Sequence, residues 1–152
     1  LGLYFGAVGI GYGAGNFLSG RYSMRMGTIR MIVWGNVAMT IGLALQIAAV
    51  YTGIGGAFGF FAPFLVVGIG NGMVLPNSNA GMLSVRPHLA GTASGLGGAF
   101  MIGGGAALSA LAGAALTPET GAWPLLGIMT LSMIGSILAI VMVVHRNRRL
   151  GL

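Results

Sequence analysis

Asn71, Asn77 and Asn79, with Ser78 between the last two and Pro76 just ahead, lie in the stretch NGMVLPNSNAG inside an otherwise apolar segment. Amide and hydroxyl groups donate and accept hydrogen bonds without carrying charge, so the chemistry they offer is recognition, not proton transfer. A proline inside a helix removes one backbone donor and pushes away the carbonyl a turn earlier, so Pro76 is expected to kink or locally open its helix. The freed carbonyl needs a partner. The asparagines can provide one, or can present their amides to a passing solute. On a helix Asn71, Leu75, Ser78, Asn79 and Met82 share a face at i, i+4, i+7, i+8 and i+11, and Asn77 points elsewhere. Tyr12, Asn16 and Ser19 form a second polar stripe at i, i+4 and i+7.

Other chemistries lack their residues. Cysteine and lysine are absent, Glu119 is the only acid, and the two histidines, His88 and His145, are far apart in the chain. No disulfide, thiolate nucleophile, metal site or carboxylate pair is expected, and no cofactor is implied. No phosphate loop, zinc motif or nucleophile elbow occurs in a context that could use it, so an enzyme is not expected.

The elements that must position the amides follow from composition. The 152 residues are 56% hydrophobic and 5% charged, whereas a soluble domain carries about a quarter charged residues. Apolar runs of about 20 residues, enough to cross a hydrocarbon core roughly 30 Å thick, recur along the chain. The expected fold is an all-α membrane bundle of five transmembrane helices at residues 1–18, 29–52, 57–85, 91–116 and 122–144, with a basic tail at 145–152. Polar connections are expected at 19–28 and 86–90, and turns at 53–56 and 117–121; Pro124 suits the first turn of the last span. The chain opens on Leu1 with no basic segment before its first apolar run, so a truncated chain without a signal peptide is expected.

All seven basic residues fall on one side of this topology. Arg21, Arg25 and Arg30 flank the first connection, Arg86 the third, and Arg146, Arg148 and Arg149 lie in the tail. The positive-inside rule makes that side cytoplasmic, with the C-terminus inside, and accounts for the net charge of +6 without a nucleic-acid partner. A polar stripe facing lipid would be costly, so Asn71, Ser78 and Asn79 should face the bundle or a water-filled cavity. Two roles stay open for Asn71 and Asn79: lining a cavity, or bonding across a packed interface. Interfacial bonding is favoured for Asn77. Among 30 glycines, the pairs Gly2/Gly6, Gly9/Gly13, Gly11/Gly15, Gly68/Gly72 and Gly91/Gly95 carry the spacing that lets helices approach closely.

Two stretches bear a family resemblance. GNFLSGRYSMRMGTIR, residues 15–30, resembles the cytoplasmic loop signature of the major facilitator superfamily between its eighth and ninth helices. NGMVLPNSNAGMLSVRPHLAGTASGLGGAF, residues 71–100, is similar to the tenth and eleventh helices of the Bcr/CflA-type drug-resistance transporters. The resemblance implies helices eight to twelve of a twelve-helix multidrug exporter working by proton antiport in a bacterial inner membrane. The absent partner would be its N-terminal half and seventh helix. It further implies that Gly15, Arg21, Arg25, Gly27 and Arg30 form the loop motif that turns the chain and holds the conformational gate. The acid common in that motif is missing here, where Ser19 and Gly20 stand. Tyr12, Asn16, Asn71 and Asn79 become candidate contacts for small amphipathic drug-like solutes, and Met73, Met82 and Met101 candidate adaptable apolar surface, while Asn36 and Gln46, on the helix that resembles the outer ninth, would bond to neighbouring helices. No acid or histidine lies within a span, so proton coupling must come from the missing half. A sugar or metabolite permease is the alternative within transport. A non-transporting bundle or channel subunit is the alternative outside it.

Overall fold

In lipid every backbone N–H and C=O must find its partner within the protein, which confines a chain of this composition to helices. The computed structural model describes residues 2–53, 56–85 and 87–150. Arg86 lies outside the described residues, as do Leu1 and the side chain of Arg148. Five long helices and one short one form: α1 (Gly2–Met26), α2 (Thr28–Thr52), α3 (Gly56–Phe61), α4 (Pro63–Val85), α5 (Ala90–Ala115) and α6 (Trp123–Leu150). No strand occurs among the described residues. The fold is an all-α bundle.

Four segments among the described residues are long and apolar enough to cross a membrane: α2, α3 with α4, α5 with the short turn before it, and most of α6. The apolar side chains face outward. Ile10, Phe100, Ile102 and Leu131 are each about 70% exposed, while the buried apolar core comprises Met31, Leu43, Ala112 and Leu126. Such a surface is stable against acyl chains and not against water, so the chain is a multi-pass membrane protein. The span expected at 1–18 forms a helix of ample length, but α1 is not among the four: its glycines and the polar end from Ser19 to Arg25 dilute its apolar character.

Helices run further than composition indicates. The stretch 19–28, expected to be a connection, is mostly the continuation of α1 to Met26; Gly27 alone links it to α2, with φ 85° and ψ 152°, a conformation open to glycine. The tail 145–152 is likewise helical as far as Leu150, because arginine and leucine favour a helix and no glycine or proline interrupts it before Gly151. The third span divides at Ala62, just before Pro63, instead of at Pro76; α4 is helical without interruption from Pro63 to Val85. A proline at the first position of a helix needs no donor, so Pro63 marks the natural boundary. The remaining ends agree with expectation to within a residue or two: α2 stops at Gly53 in the left-handed conformation, and Gly121 turns the chain before α6 with φ 55°.

Helix α4 is the centre of the bundle. In Gly68-Ile69-Gly70-Asn71-Gly72, glycines alternate; on a helix this puts Gly68 and Gly72 on one side and Gly70 on nearly the opposite one. α1 packs on the first side. A Cβ at Gly11 would overlap the Leu65 carbonyl oxygen, one at Gly15 the Ile69 carbonyl oxygen, and one at Gly72 the Tyr12 carbonyl oxygen. α2 packs on the second side, where a Cβ at Gly35 would stand 2.7 Å from the Gly70 carbonyl oxygen and one at Gly42 2.7 Å from Val67. α1 therefore runs parallel to α4 and α2 antiparallel to it. α6 is antiparallel to α2, with Ser136 opposite Asn36, and α5 lies across the remaining flank, where Gly97 meets Met82. This arrangement brings the ends carrying Arg21, Arg25, Arg30, Arg146 and Arg149 to one face of the bundle and Glu119 to the other.

Of the spaced glycine pairs, Gly11/Gly15 and Gly68/Gly72 meet each other's helices. Gly9, Gly13, Gly91 and Gly95 face open space, and the side of Gly2 is not described. Gly15→Val or Gly72→Val should therefore destabilise the bundle by about 1–3 kcal/mol through overpacking, whereas Gly9→Ala and Gly13→Ala should leave it unchanged or firmer. Unfolding in mixed micelles, followed by circular dichroism, distinguishes the two sets.

Candidate functional site

Polar groups within the bundle divide into those that are satisfied and those that are not. Asn77 belongs to the first set. It is 2% exposed, its Nδ2 donates to Ser19 Oγ at 2.7 Å and to the Met73 carbonyl at 2.7 Å, and its Oδ1 accepts from Ser23 Oγ. One amide on α4 thus holds two hydroxyls a turn apart on α1, next to the point where Pro76 deprives the Gly72 carbonyl of its usual donor. Asn36, also buried, donates to Ile32 and accepts from Ser136 Oγ at 2.6 Å, tying α2 to α6. Gln46, fully buried, donates to the Phe60 carbonyl at 3.4 Å where the helical ladder breaks between α3 and α4; its Oε1 has no partner among the described residues. These three are interfacial bonds, the role expected of them from sequence.

Asn71 belongs to the second set. It is exposed and has no side-chain hydrogen bond among the described residues. It lines an open hollow of about 420 Å³ bordered by α2, α4, α5 and α6. Leu43, Val67, Leu108 and Leu125 supply apolar wall, and Ser109, Ser132 and Ser136 supply hydroxyls. Ser132 and Ser136 bond to Ile128 and Asn36 respectively, so Asn71, with Ser109, is the recognition group left free. A mostly apolar hollow of this size with a few convergent polar atoms has the form of a small-molecule site.

The other residues singled out from sequence are not gathered there. Ser78 is half-buried and Asn79 exposed, both on α4 but outside the cavity lining, and neither has a side-chain hydrogen bond among the described residues. Tyr12 is 40% exposed on α1, and Asn16 donates back to the Tyr12 carbonyl at 2.9 Å. Met39, Met129 and Met133 line the cavity in place of Met73, Met82 and Met101. The hydroxyls of α6 were missed; Ser132 and Ser136 at i, i+4 beside Met129 and Met133 form a stripe that could have pointed to them. In the loop motif, Gly15 is buried against α4, Gly27 is the linker, and Arg21, Arg25 and Arg30 are exposed. Arg25 lies in the last turn of α1, where a cation meets the negative end of the helix dipole.

Comparison of the chain with protein-family models, curated proteins and solved structures finds no match.

The Asn77 lock is testable apart from the cavity. Asn77→Ala should lower stability by about 1–3 kcal/mol, because it strands Ser19 and Ser23 as well as losing its own bonds. Ser19→Ala in that background should add little. A double-mutant cycle by micellar unfolding measures the coupling.

Proposed function

We propose that this chain is the C-terminal part of a proton-driven multidrug exporter of the Bcr/CflA type within the major facilitator superfamily. It would sit in a bacterial inner membrane, with its arginine end and C-terminus in the cytoplasm. The observation that carries the reading is the free amide of Asn71 on the wall of an open, mostly apolar hollow of about 420 Å³ between the helices of a membrane bundle. An unpartnered amide there is costly unless water or a solute satisfies it, and an amphipathic solute can bury its apolar body while bonding Asn71.

Three further features support it. The described arginines sit together at one end, as positive-inside topology requires. α5 buries only Ala112, and its Gly103, Gly104 and Gly105 meet nothing, leaving a small-residue face for more helices to cover. The resemblance of residues 15–30 and 71–100 to that family accounts for both. In this reading α1, α2 and α4 move as one body, since glycine contact and the Asn77 lock join them. Rocking of that body against the other lobe exposes the cavity to each side in turn. The titrating group belongs to the other lobe, because no acid lies within these spans.

Binding to the chain itself is the direct test. Ethidium fluorescence anisotropy with the detergent-solubilised chain should show saturable binding, and Asn71→Leu should weaken it about 3- to 10-fold, the value of one hydrogen bond. Asn79→Leu should leave affinity unchanged. Absence of saturable binding, or equal affinity in the Asn71→Leu variant, would refute the role of this cavity. Loss of folded protein on that substitution would instead make Asn71 a packing residue.

A further inference from the structure

α2 and α6 border a second hollow, an open trench of about 560 Å³. Val33, Val37 and Ile41 form one wall, and Ile137, Val141 and His145 form the other. From Ile137 to His145 the trench runs about 12 Å along the helix axis. Asn36 and Thr40 also border it, but their polar groups are committed: Asn36 to Ile32 and Ser136, Thr40 to the Asn36 carbonyl at 2.8 Å. Within the trench no polar side chain of the helix walls is without a protein hydrogen bond, and the rest of the lining up to His145 is apolar.

Its cytoplasmic-side end is different. Arg30 precedes Val33 and Val37 at i, i+3 and i+7, so it continues the α2 wall, and Arg149 follows Val141 and His145 at i+8 and i+4, so it continues the α6 wall. Arg30, His145 and Arg149 are all exposed. No acidic side chain lies near the two arginines, since Glu119, the only one, is at the opposite end of the bundle. The result is a groove with an apolar body and a basic cap at headgroup depth.

We propose that this trench binds an anionic phospholipid. One acyl chain lies between Val33, Val37 and Ile41 on one side and Ile137 and Val141 on the other, and the headgroup phosphate meets Arg30, His145 and Arg149. Charge selects this occupant. A cationic drug is repelled by the cap, and a second copy docking two-fold on the same face would bring the arginines of both chains together. A zwitterionic lipid gains less from the cap than an anionic one. The lipid would fill the gap between α2 and α6 beyond the reach of the Asn36–Ser136 bond and so splint the outer helices. The inference uses the outer face alone and stands whether or not the exporter reading does.

Trp34, exposed beside Val33, is a built-in reporter, and Trp123 lies at the far end of α6. The full chain carrying Trp123→Phe is reconstituted in phosphatidylcholine vesicles with a minor fraction of phosphatidylglycerol brominated on its acyl chains. Quenching of Trp34 should exceed that given by the same fraction of brominated phosphatidylcholine. Arg30→Gln with Arg149→Gln should reduce the relative affinity about fivefold per arginine. Val37→Phe with Val141→Phe, both at exposed positions, should abolish the preference with every charge intact. Equal quenching by the two lipids overturns the proposal. So does a preference that survives filling the trench, which would be diffuse surface attraction. Native mass spectrometry of the unsubstituted chain, comparing retained phosphatidylglycerol with phosphatidylcholine, reads the same preference without the tryptophan change.

Discussion

Everything in this bundle depends on how closely α4 approaches its two neighbours. Gly68 and Gly72 admit the backbone of α1 on one side, and Gly70 admits that of α2 on the other, with Gly11, Gly15, Gly35 and Gly42 as the reciprocal small residues. In lipid there is no hydrophobic drive to bring helices together, so close van der Waals contact and a few polar bonds must do so. Backbone contact at the glycines sets α1 and α4 in register. That register places Ser19 and Ser23 opposite Asn77, and the amide then closes the interface.

Once three helices are fixed, the polar residues elsewhere acquire distinct meanings. Asn36, Gln46 and Asn77 are buried and bonded, and they hold neighbours. Asn71 is six residues before Asn77 on the same helix, yet it opens onto the hollow bordered by α2, α5 and α6. The trench between α2 and α6 shows the converse arrangement, with its polar side chains each bonded to the protein and its charges at one end. The two hollows thus differ in chemistry: one has an unbonded amide in a mostly apolar wall, the other has apolar walls with arginines beyond one end.

Much of this was legible in the residues and some was not. Composition and apolar runs marked the helices, and Gly53, Pro124 and Gly121 marked three of their ends, because glycine and proline act locally. The role of Asn77 could be read because an amide among apolar residues in lipid must find a partner; those of Asn36 and Gln46 followed from the family resemblance. Glycine spacing was less informative. It shows that a backbone can be approached and not whether anything approaches, so Gly9/Gly13 and Gly91/Gly95 looked the same as Gly11/Gly15 but face open space. Helices apolar on all sides carry little periodic signal, which hid the pairing of α6 with α2 and the part of Ser109 and Ser132 in the cavity. Polar stretches were read as loops at 19–28 and 145–152, although arginine and serine are compatible with helix once the backbone is paired.

The native chain has no cysteine, so engineered pairs report on helix contacts without background. The most direct test of the central contact is oxidative cross-linking in intact membranes of a chain carrying Ser19→Cys with Asn77→Cys, compared with Ser19→Cys and Leu65→Cys. Parallel packing of α1 on α4 predicts an intramolecular disulfide in the first pair and none in the second. Absence of a cross-link in the first pair, or its appearance in the second, would contradict the account.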